Sequence, residues 1–215
     1  MSLSHPRRIG VFGGAFDPPH RAHLALAHAA LAQFDLDDLR VLPTGQAWHK
    51  ARPLSAAAHR LAMARLTFEH MPHVVVDDRE TRRDGATYTV DTLQALQHEH
   101  PHSSWWLFIG QDQADRFTTW HRWQDILAQV QLVVAHRPHG DASNLNHDGL
   151  AEGQWHNALP AAVKAKLQVL DWSPQAISAT AIRQAVAQNQ DTQAWLLPQV
   201  QTYIQHHHLY SDNHE

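Results

Sequence analysis

Ile9-Gly10-Val11-Phe12 is an apolar run of strand length, and it leads through Gly13-Gly14-Ala15-Phe16-Asp17-Pro18-Pro19-His20-Arg21-Ala22-His23 into a segment with helical spacing. A strand that turns through glycines into a helix is the first half of a βαβ unit. The adjacent Gly13 and Gly14 let backbone approach an anion closely and can take positive φ. The helix start adds unpaired N–H groups and the positive end of a dipole. His20 and His23, three apart, fall on one helix face at that end. There, two imidazoles would donate hydrogen bonds to a phosphoryl group as its charge builds. The same residues also read as a Gly-Gly turn, an Asp-Pro helix start and two solvated histidines. A metal pair is a third reading, although helical His ligands usually sit four apart and no third ligand is evident. The Gly-Lys-Ser/Thr ending of a Walker loop is absent.

Outward from this stretch, short apolar runs recur at Leu39–Leu42, Val74–Val76, Trp105–Ile109, Leu132–Ala135 and Gln168–Leu170. Several are continuously apolar, as strands covered on both faces of a parallel sheet should be. Between them, Leu24, Ala27, His28, Leu31 and Phe34 follow helical spacing, as do Leu61, Ala64, Arg65 and Phe68, and then Val90, Leu93, Leu96 and Gln97. This alternation predicts an α/β fold, a Rossmann-like doubly wound parallel sheet with a helical C-terminal portion. Residues 1–215 are expected to form one domain, with 136–157, rich in Gly, Asn, Asp and His, as a long surface loop or insertion.

Composition narrows the chemistry. The 215 residues include no cysteine, which excludes disulfides, thiolate zinc sites and a cysteine nucleophile. A net charge of −4 argues against a dedicated nucleic-acid partner. Met1–Arg8 carries no apolar signal region, and no apolar run is long enough to span a bilayer, so no membrane partner and a cytoplasmic location are expected. The 20 histidines would reverse the net charge if half were protonated near pH 6.5. They also suggest a histidine-rich metal binder, for which His206-His207-His208 is the obvious run. That run lies inside the amphipathic tail 200–209 and reads as native surface.

Four further segments carry site chemistry. Ile177-Ser178-Ala179-Thr180-Ala181-Ile182-Arg183 opens a helix with Ser178 as N-cap, leaving N–H groups for phosphate, and Arg183 offers a planar fork to phosphate oxygens. His49-Lys50 ends the loop after the second strand, either solvated or reaching a triphosphate. Thr87-Tyr88-Thr89 begins a helix, with Thr87 a capping candidate. Gly110 at a strand end allows close approach of a nucleotide. Asp112 can take a ribose hydroxyl or cap the next helix, and Trp120 is either core or a stacking surface.

The first loop resembles the Gly-x-Phe-Asp-Pro-x-His-x-Gly-His signature of the nucleotidyltransferase superfamily, with Ala22 at its glycine and Ala15 where Ser or Thr is common. Ile177–Arg183 is similar to that superfamily's Ile-Ser-x-Thr-x-Ile-Arg motif at every specified position. The middle segments resemble those of nicotinate-nucleotide adenylyltransferases, except that Ala47-Trp48 replaces a common Pro-Pro. The resemblance implies adenylyl transfer from ATP to nicotinate mononucleotide, with Mg²⁺ carried mainly by the ATP phosphates. It implies His20 and His23 as catalytic groups. ATP contacts would come from Gly13, Gly14, Phe16, His20, His23, Lys50, Gly110, Asp112, Ser178 and Arg183. Nicotinate mononucleotide would meet Ala15, His49, Tyr88, Thr89, Trp120 and the backbone at His121. No resident metal site is implied, and the protein would be a monomer or homodimer. Alternatives are nicotinamide mononucleotide or another phosphorylated acceptor, and a nucleotide sensor without catalysis.

Overall fold

The computed structural model describes residues 5–45, 54–135, 159–173 and 175–211. Among these, six strands form one sheet: β1 (Arg8–Gly14), β2 (Asp38–Pro43), β3 (Val74–Val76), β4 (Ser104–Gly110), β5 (Gln131–Ala135) and β6 (Leu167–Val169). Their spatial order is β3-β2-β1-β4-β5-β6, and every pairing between neighbours is parallel. This is the doubly wound order in which the chain reverses its direction of travel between β1 and β4. The strands overlie the six apolar runs, with a one-residue shift at β6.

The helices among the described residues flank the sheet: α1 (Arg21–Phe34), α2 (Ala57–Phe68), α3 (Thr89–Glu99), α4 (Gln111–Asp115), α5 (Trp123–Gln129), α6 (Ala161–Lys164), α7 (Ala179–Ala187) and α8 (Pro198–His206). A 3₁₀ turn spans Phe117–Thr119. Successive strand residues point to opposite faces, and both faces are covered. Ile9, Val11, Leu107, Ile109, Leu132 and Val134 pack with α3, α5 and α6. Phe12, Leu39, Val41, Phe108 and Val133 pack with α1 and Phe68 of α2. A third apolar cluster joins Ala22, Met63, Ile182, Val200 and Ile204, fixing α7 and α8 against the start of α1 and the middle of α2.

Two periodicities shift in the folded chain. On α1 the buried residues are Ala22, Leu26, Ala27, Ala30 and Phe34, while His28 is exposed. On α2 they are Arg60, Met63, Ala64, Thr67 and Phe68, whereas Arg65 faces solvent and pairs with Asp78 at 3.0 Å. Small alanines and a threonine fit beneath these helices, which sequence hydrophobicity alone underweights. The edge strands are also less covered than their apolar runs suggest, with Val75 39% and Val169 49% exposed. Among the described residues, no helix is long and apolar enough to cross a membrane. The stretch 136–157, expected to be a long surface loop or insertion, lies outside the described residues.

Phe108 is fully buried at the centre of the sheet, its ring 5.4 Å from that of Phe34 in an edge arrangement. Phe108→Ala is expected to lower unfolding stability by about 3–5 kcal/mol, read as a reduced urea midpoint.

Candidate active site

Parallel strands deliver their carboxyl ends to one edge of the sheet, where ligands of this topology bind beside the point of reversal. Gly13 is the penultimate residue of β1, and Gly110 ends β4. A Cβ added to either would meet nothing within 4 Å. The crevice therefore opens directly over backbone. Gly14 is different, since the Phe16 ring covers its face and would lie 3.0 Å from a Cβ there. Phe16 takes φ 49° and turns its ring into the core, against Phe12 at 5.4 Å and Phe68 at 6.1 Å. Only 2% of Phe16 is exposed, so what it can offer a nucleotide is backbone.

His20 is the N-cap of α1 in extended backbone. Its N–H donates to His23 Nδ1 at 3.1 Å, and the His23 N–H donates to the His20 carbonyl at 2.9 Å. The two rings stack with centroids 3.8 Å apart, and Phe16 backs the His23 ring at 5.1 Å. Because Nδ1 of His23 accepts a hydrogen bond, the ring hydrogen sits on Nε2, which is then a donor. Ala22 stands inside α1 with its methyl in the third apolar cluster, so the position needs no glycine conformation.

Ser178 caps α7 by accepting the Ala181 N–H at 3.1 Å. Arg183 on the same helix donates through Nη1 to the Asp17 carbonyl at 2.7 Å and through Nη2 to Thr180 Oγ1 at 3.0 Å. The C-terminal motif and the first loop, 166 residues apart, thus share a direct hydrogen bond. The Asp17 side chain is buried. Its Oδ2 accepts the Ser55 N–H at 3.3 Å, and its Oδ1 accepts the Tyr210 hydroxyl at 2.6 Å. Burial and the Asp17 carboxylate push the Tyr210 phenol above its ordinary value, which keeps it a donor. Beneath this loop, the guanidinium of Arg60 donates to the carbonyls of Ala15, Gly45 and Ser55.

The second half of the crevice begins at Gly45, where any Cβ would collide with the Glu80 carbonyl oxygen and approach Thr87 Cγ2 at 3.1 Å. Tyr88 is the N-cap of α3 without a side-chain capping bond, and Thr89 is its first residue. Thr87 does not cap this helix, contrary to the capping expectation: its Oγ1 is buried and finds no hydrogen-bond partner among the described residues. Asp112 lies exposed in the first turn of α4, whose N-cap is Gly110. Trp120 is half-buried on Phe117, ring centroids 5.5 Å apart. The resemblance gives His121 a role through its backbone, yet its ring lies on that of Tyr88 at 4.4 Å. That contact links the start of α3 to the segment after the 3₁₀ turn. His49 and Lys50 lie outside the described residues. Asp17, Arg60 and Tyr210 are the groups that local motifs did not bring forward, although Asp17 sits within the quoted loop.

The chain matches the cytidylyltransferase-like family model over residues 11–185. A relative from Albidiferax ferrireducens, named "Probable nicotinate-nucleotide adenylyltransferase", is 46% identical over 204 residues, covering 95% of this chain and 98% of that one. Another of the same name from Laribacter hongkongensis is 42% identical, covering 94% of each chain. The solved structure of a Plasmodium falciparum nicotinic acid mononucleotide adenylyltransferase, complexed with NaAD, superposes with a TM-score of 0.74 at 18% identity. The match covers 97% of this chain and 100% of that one, a likeness of fold. The chain belongs to the nicotinate-nucleotide adenylyltransferases within the cytidylyltransferase-like family.

Glu80, whose carbonyl crowds Gly45, is itself a titratable group with a testable sign. Burial raises its carboxyl above the ordinary value, opposed by the Thr92 hydroxyl that donates to Oε1 at 2.8 Å and by Arg83. Between the ordinary and raised values, the folded chain holds a proton that the unfolded chain releases, so this group costs stability as pH rises through that interval. Glu80→Gln keeps an oxygen for Thr92 and removes the charge. It is expected to be more stable than the parent at pH 7, with the difference vanishing below about pH 4, the ordinary glutamate range. Urea titrations across that range measure it.

Proposed function

We infer that the chain transfers the adenylyl group of ATP to nicotinate mononucleotide, forming nicotinate adenine dinucleotide and pyrophosphate. The observation that carries this reading is the stacked His20–His23 pair at the start of α1, beside the open backbone of Gly13 and Gly110, with Arg183 bonded to the same loop. The acceptor's identity is supported by relatives of that name matched over nearly the whole of both chains.

An oxygen of the acceptor phosphate attacks the α-phosphorus of ATP. The bond to the bridging oxygen breaks, and pyrophosphate leaves with the electron pair. That nucleophile is already anionic at neutral pH, so the chain has no proton to remove. What remains is positioning and charge stabilisation along an in-line path. Nε2–H of His23, His20 and the α1 N-terminus would meet the charge growing on the α-phosphate. Gly13, Gly14 and backbone at Phe16 would admit the nucleotide, with Gly110 and Asp112 on the ribose side. Lys50, Ser178 and Arg183 would hold the β- and γ-phosphates. Trp120 offers a flat face to the pyridine ring, beside Ala15, His49 and His121, and the pyridine carboxylate would lie near the N–H groups at Tyr88–Thr89. Mg²⁺ enters with the triphosphate as part of the substrate. Among the described residues, no three His, Asp or Glu side chains stand together as a cage for it.

A pyrophosphate-release assay with MgATP and a panel of acceptor nucleotides tests the reading. Nicotinate mononucleotide is expected to give the highest kcat/KM, above nicotinamide mononucleotide. A reversed ranking would reassign the acceptor, and no release with any nucleotide would leave a sensor. His20→Ala is expected to cut kcat by about 10²–10³ with little change in KM; near-normal turnover would remove His20 from the chemistry.

A further inference from the structure

We propose that Arg60 is a positioning residue for both substrate loops, holding the turn after β1 and the turn after β2 in fixed relation. It heads the largest fully buried side chains, with 1% exposure, at a place on α2 where the neighbouring buried positions are Met63, Ala64, Thr67 and Phe68. A cation taken out of water there must recover its hydrogen bonds from the protein. The fork does so through three donors aimed at three segments. Nε reaches the Ser55 carbonyl at 2.9 Å, Nη1 the Ala15 carbonyl at 3.0 Å and Nη2 the Gly45 carbonyl at 2.9 Å. Burial lowers its pKa, and the nearby Asp17 carboxylate opposes that shift, so the charge is retained in part by the loop it supports.

Packing alone does not call for this residue. A buried ion pair is often no more stable than an apolar group of the same volume, so a space lined by methionine, threonine and phenylalanine would be filled as well by an aliphatic side chain. The guanidinium adds direction: it fixes three carbonyls that belong to no helix or strand ladder. Ala15 lies between Gly14 and the histidines. Gly45 and Ser55 are where the chain leaves β2 and re-enters towards α2. Gly45 in turn abuts Glu80 and Thr87, which precede Tyr88. Thr44 N–H donates to the Gly14 carbonyl at 2.9 Å, a second tie between the same two turns. Arg60 is therefore the joint between the turn after β1 and the turn after β2, each of which the proposed reaction gives contacts to both the triphosphate and the acceptor. Tyr210 braces it from the other side through Asp17.

The inference rests on the proposed reaction, and its test separates the two. Arg60→Lys keeps the charge and most of the volume, but one ammonium cannot reproduce a planar three-way fork. Tyr210→Phe removes only the hydroxyl on Asp17 and leaves Arg60 in place. Each is assayed for steady-state kinetics at a temperature of about 20 °C, within the usual range of maximum domain stability. Each is also assayed for melting temperature, and for the rise in melting temperature produced by MgATP alone. Arg60→Lys is expected to lose on the order of 10²-fold in kcat/KM. KM should rise for ATP and for nicotinate mononucleotide together, and the MgATP-induced rise should shrink. Tyr210→Phe should show the same pattern more weakly. A lower melting temperature with both KM values and the MgATP response unchanged would make Arg60 a packing residue and overturn the proposal. Should the parent chain respond to MgATP but release no pyrophosphate, the reaction fails on its own. The MgATP response of Arg60→Lys then still decides the positioning role, an unchanged response overturning it.

Discussion

Every strand of the sheet runs the same way, and that single constraint decides where chemistry can happen. Parallel pairing sends the loops after β1, β2, β3 and β4 to one edge. The order β3-β2-β1-β4 forces the connection carrying α3 to cross the outer side of two strands before β4 can pair with β1. The loops after β1 and β4 consequently depart to opposite faces, and among the described residues nothing covers Gly13 and Gly110 between them. The start of α3 is carried over the same edge, which is why Tyr88 meets His121 despite their separation in the chain. A crevice with a helix N-terminus on each side is thus a product of topology before any side chain is considered.

Topology leaves the loops themselves unfixed, and here buried polar groups take over. Asp17 and Arg60 are both removed from water, and each would be costly alone. Asp17 accepts from the Ser55 N–H, from the Tyr210 hydroxyl and, at its carbonyl, from Arg183, while Arg60 donates to the carbonyls of Ala15, Gly45 and Ser55. The two sets of bonds meet at Ser55 and tie the first turn to the last described residues. Such a network is more demanding than apolar packing because it tolerates little displacement. For a site that must hold a triphosphate in line with an attacking oxygen, that intolerance is useful. The apolar cluster of Met63, Ile182, Val200 and Ile204 supplies the adhesion that brings these elements close enough for the hydrogen bonds to form.

The central strands were legible because they are covered on both faces and read as largely apolar runs, and the glycine turn and Ser178 cap were legible because their signals are local. Arg60 was not. Sequence patterning assigns arginine to solvent, and it favoured Leu61 and Arg65 over Arg60 and Met63 on the same helix. Yet positions 60, 63, 64, 67 and 68 follow the spacing of a buried stripe, and an arginine opening such a stripe is a signal of a satisfied internal cation. Tyr210 carried no comparable signal. Its meaning depends on a hydroxyl contact with Asp17, 193 residues away, and no periodicity reports a contact of that kind. Thr87 misled for the opposite reason, since a threonine before a helix usually caps it, whereas here the hydroxyl turns inward beneath the loop at Gly45.

Histidine abundance illustrates how little composition says about chemistry. An imidazole becomes a directed donor when one ring nitrogen is already committed, and this commitment distinguishes members of the set. Nδ1 of His23 is committed to the His20 backbone, which places the ring hydrogen on Nε2 at the mouth of α1. Nδ1 of His59, next to Arg60 in the chain, instead meets the Tyr203 hydroxyl at 3.0 Å and joins α2 to α8. Nδ1 of His73 lies on the Asp37 carbonyl at 3.0 Å, next to the start of β2, at the end of the sheet opposite the crevice. All three have one nitrogen engaged, so engagement alone does not set them apart. Position does: of the three, only His23 combines a fixed ring with a place at the carboxyl ends of β1 and β4.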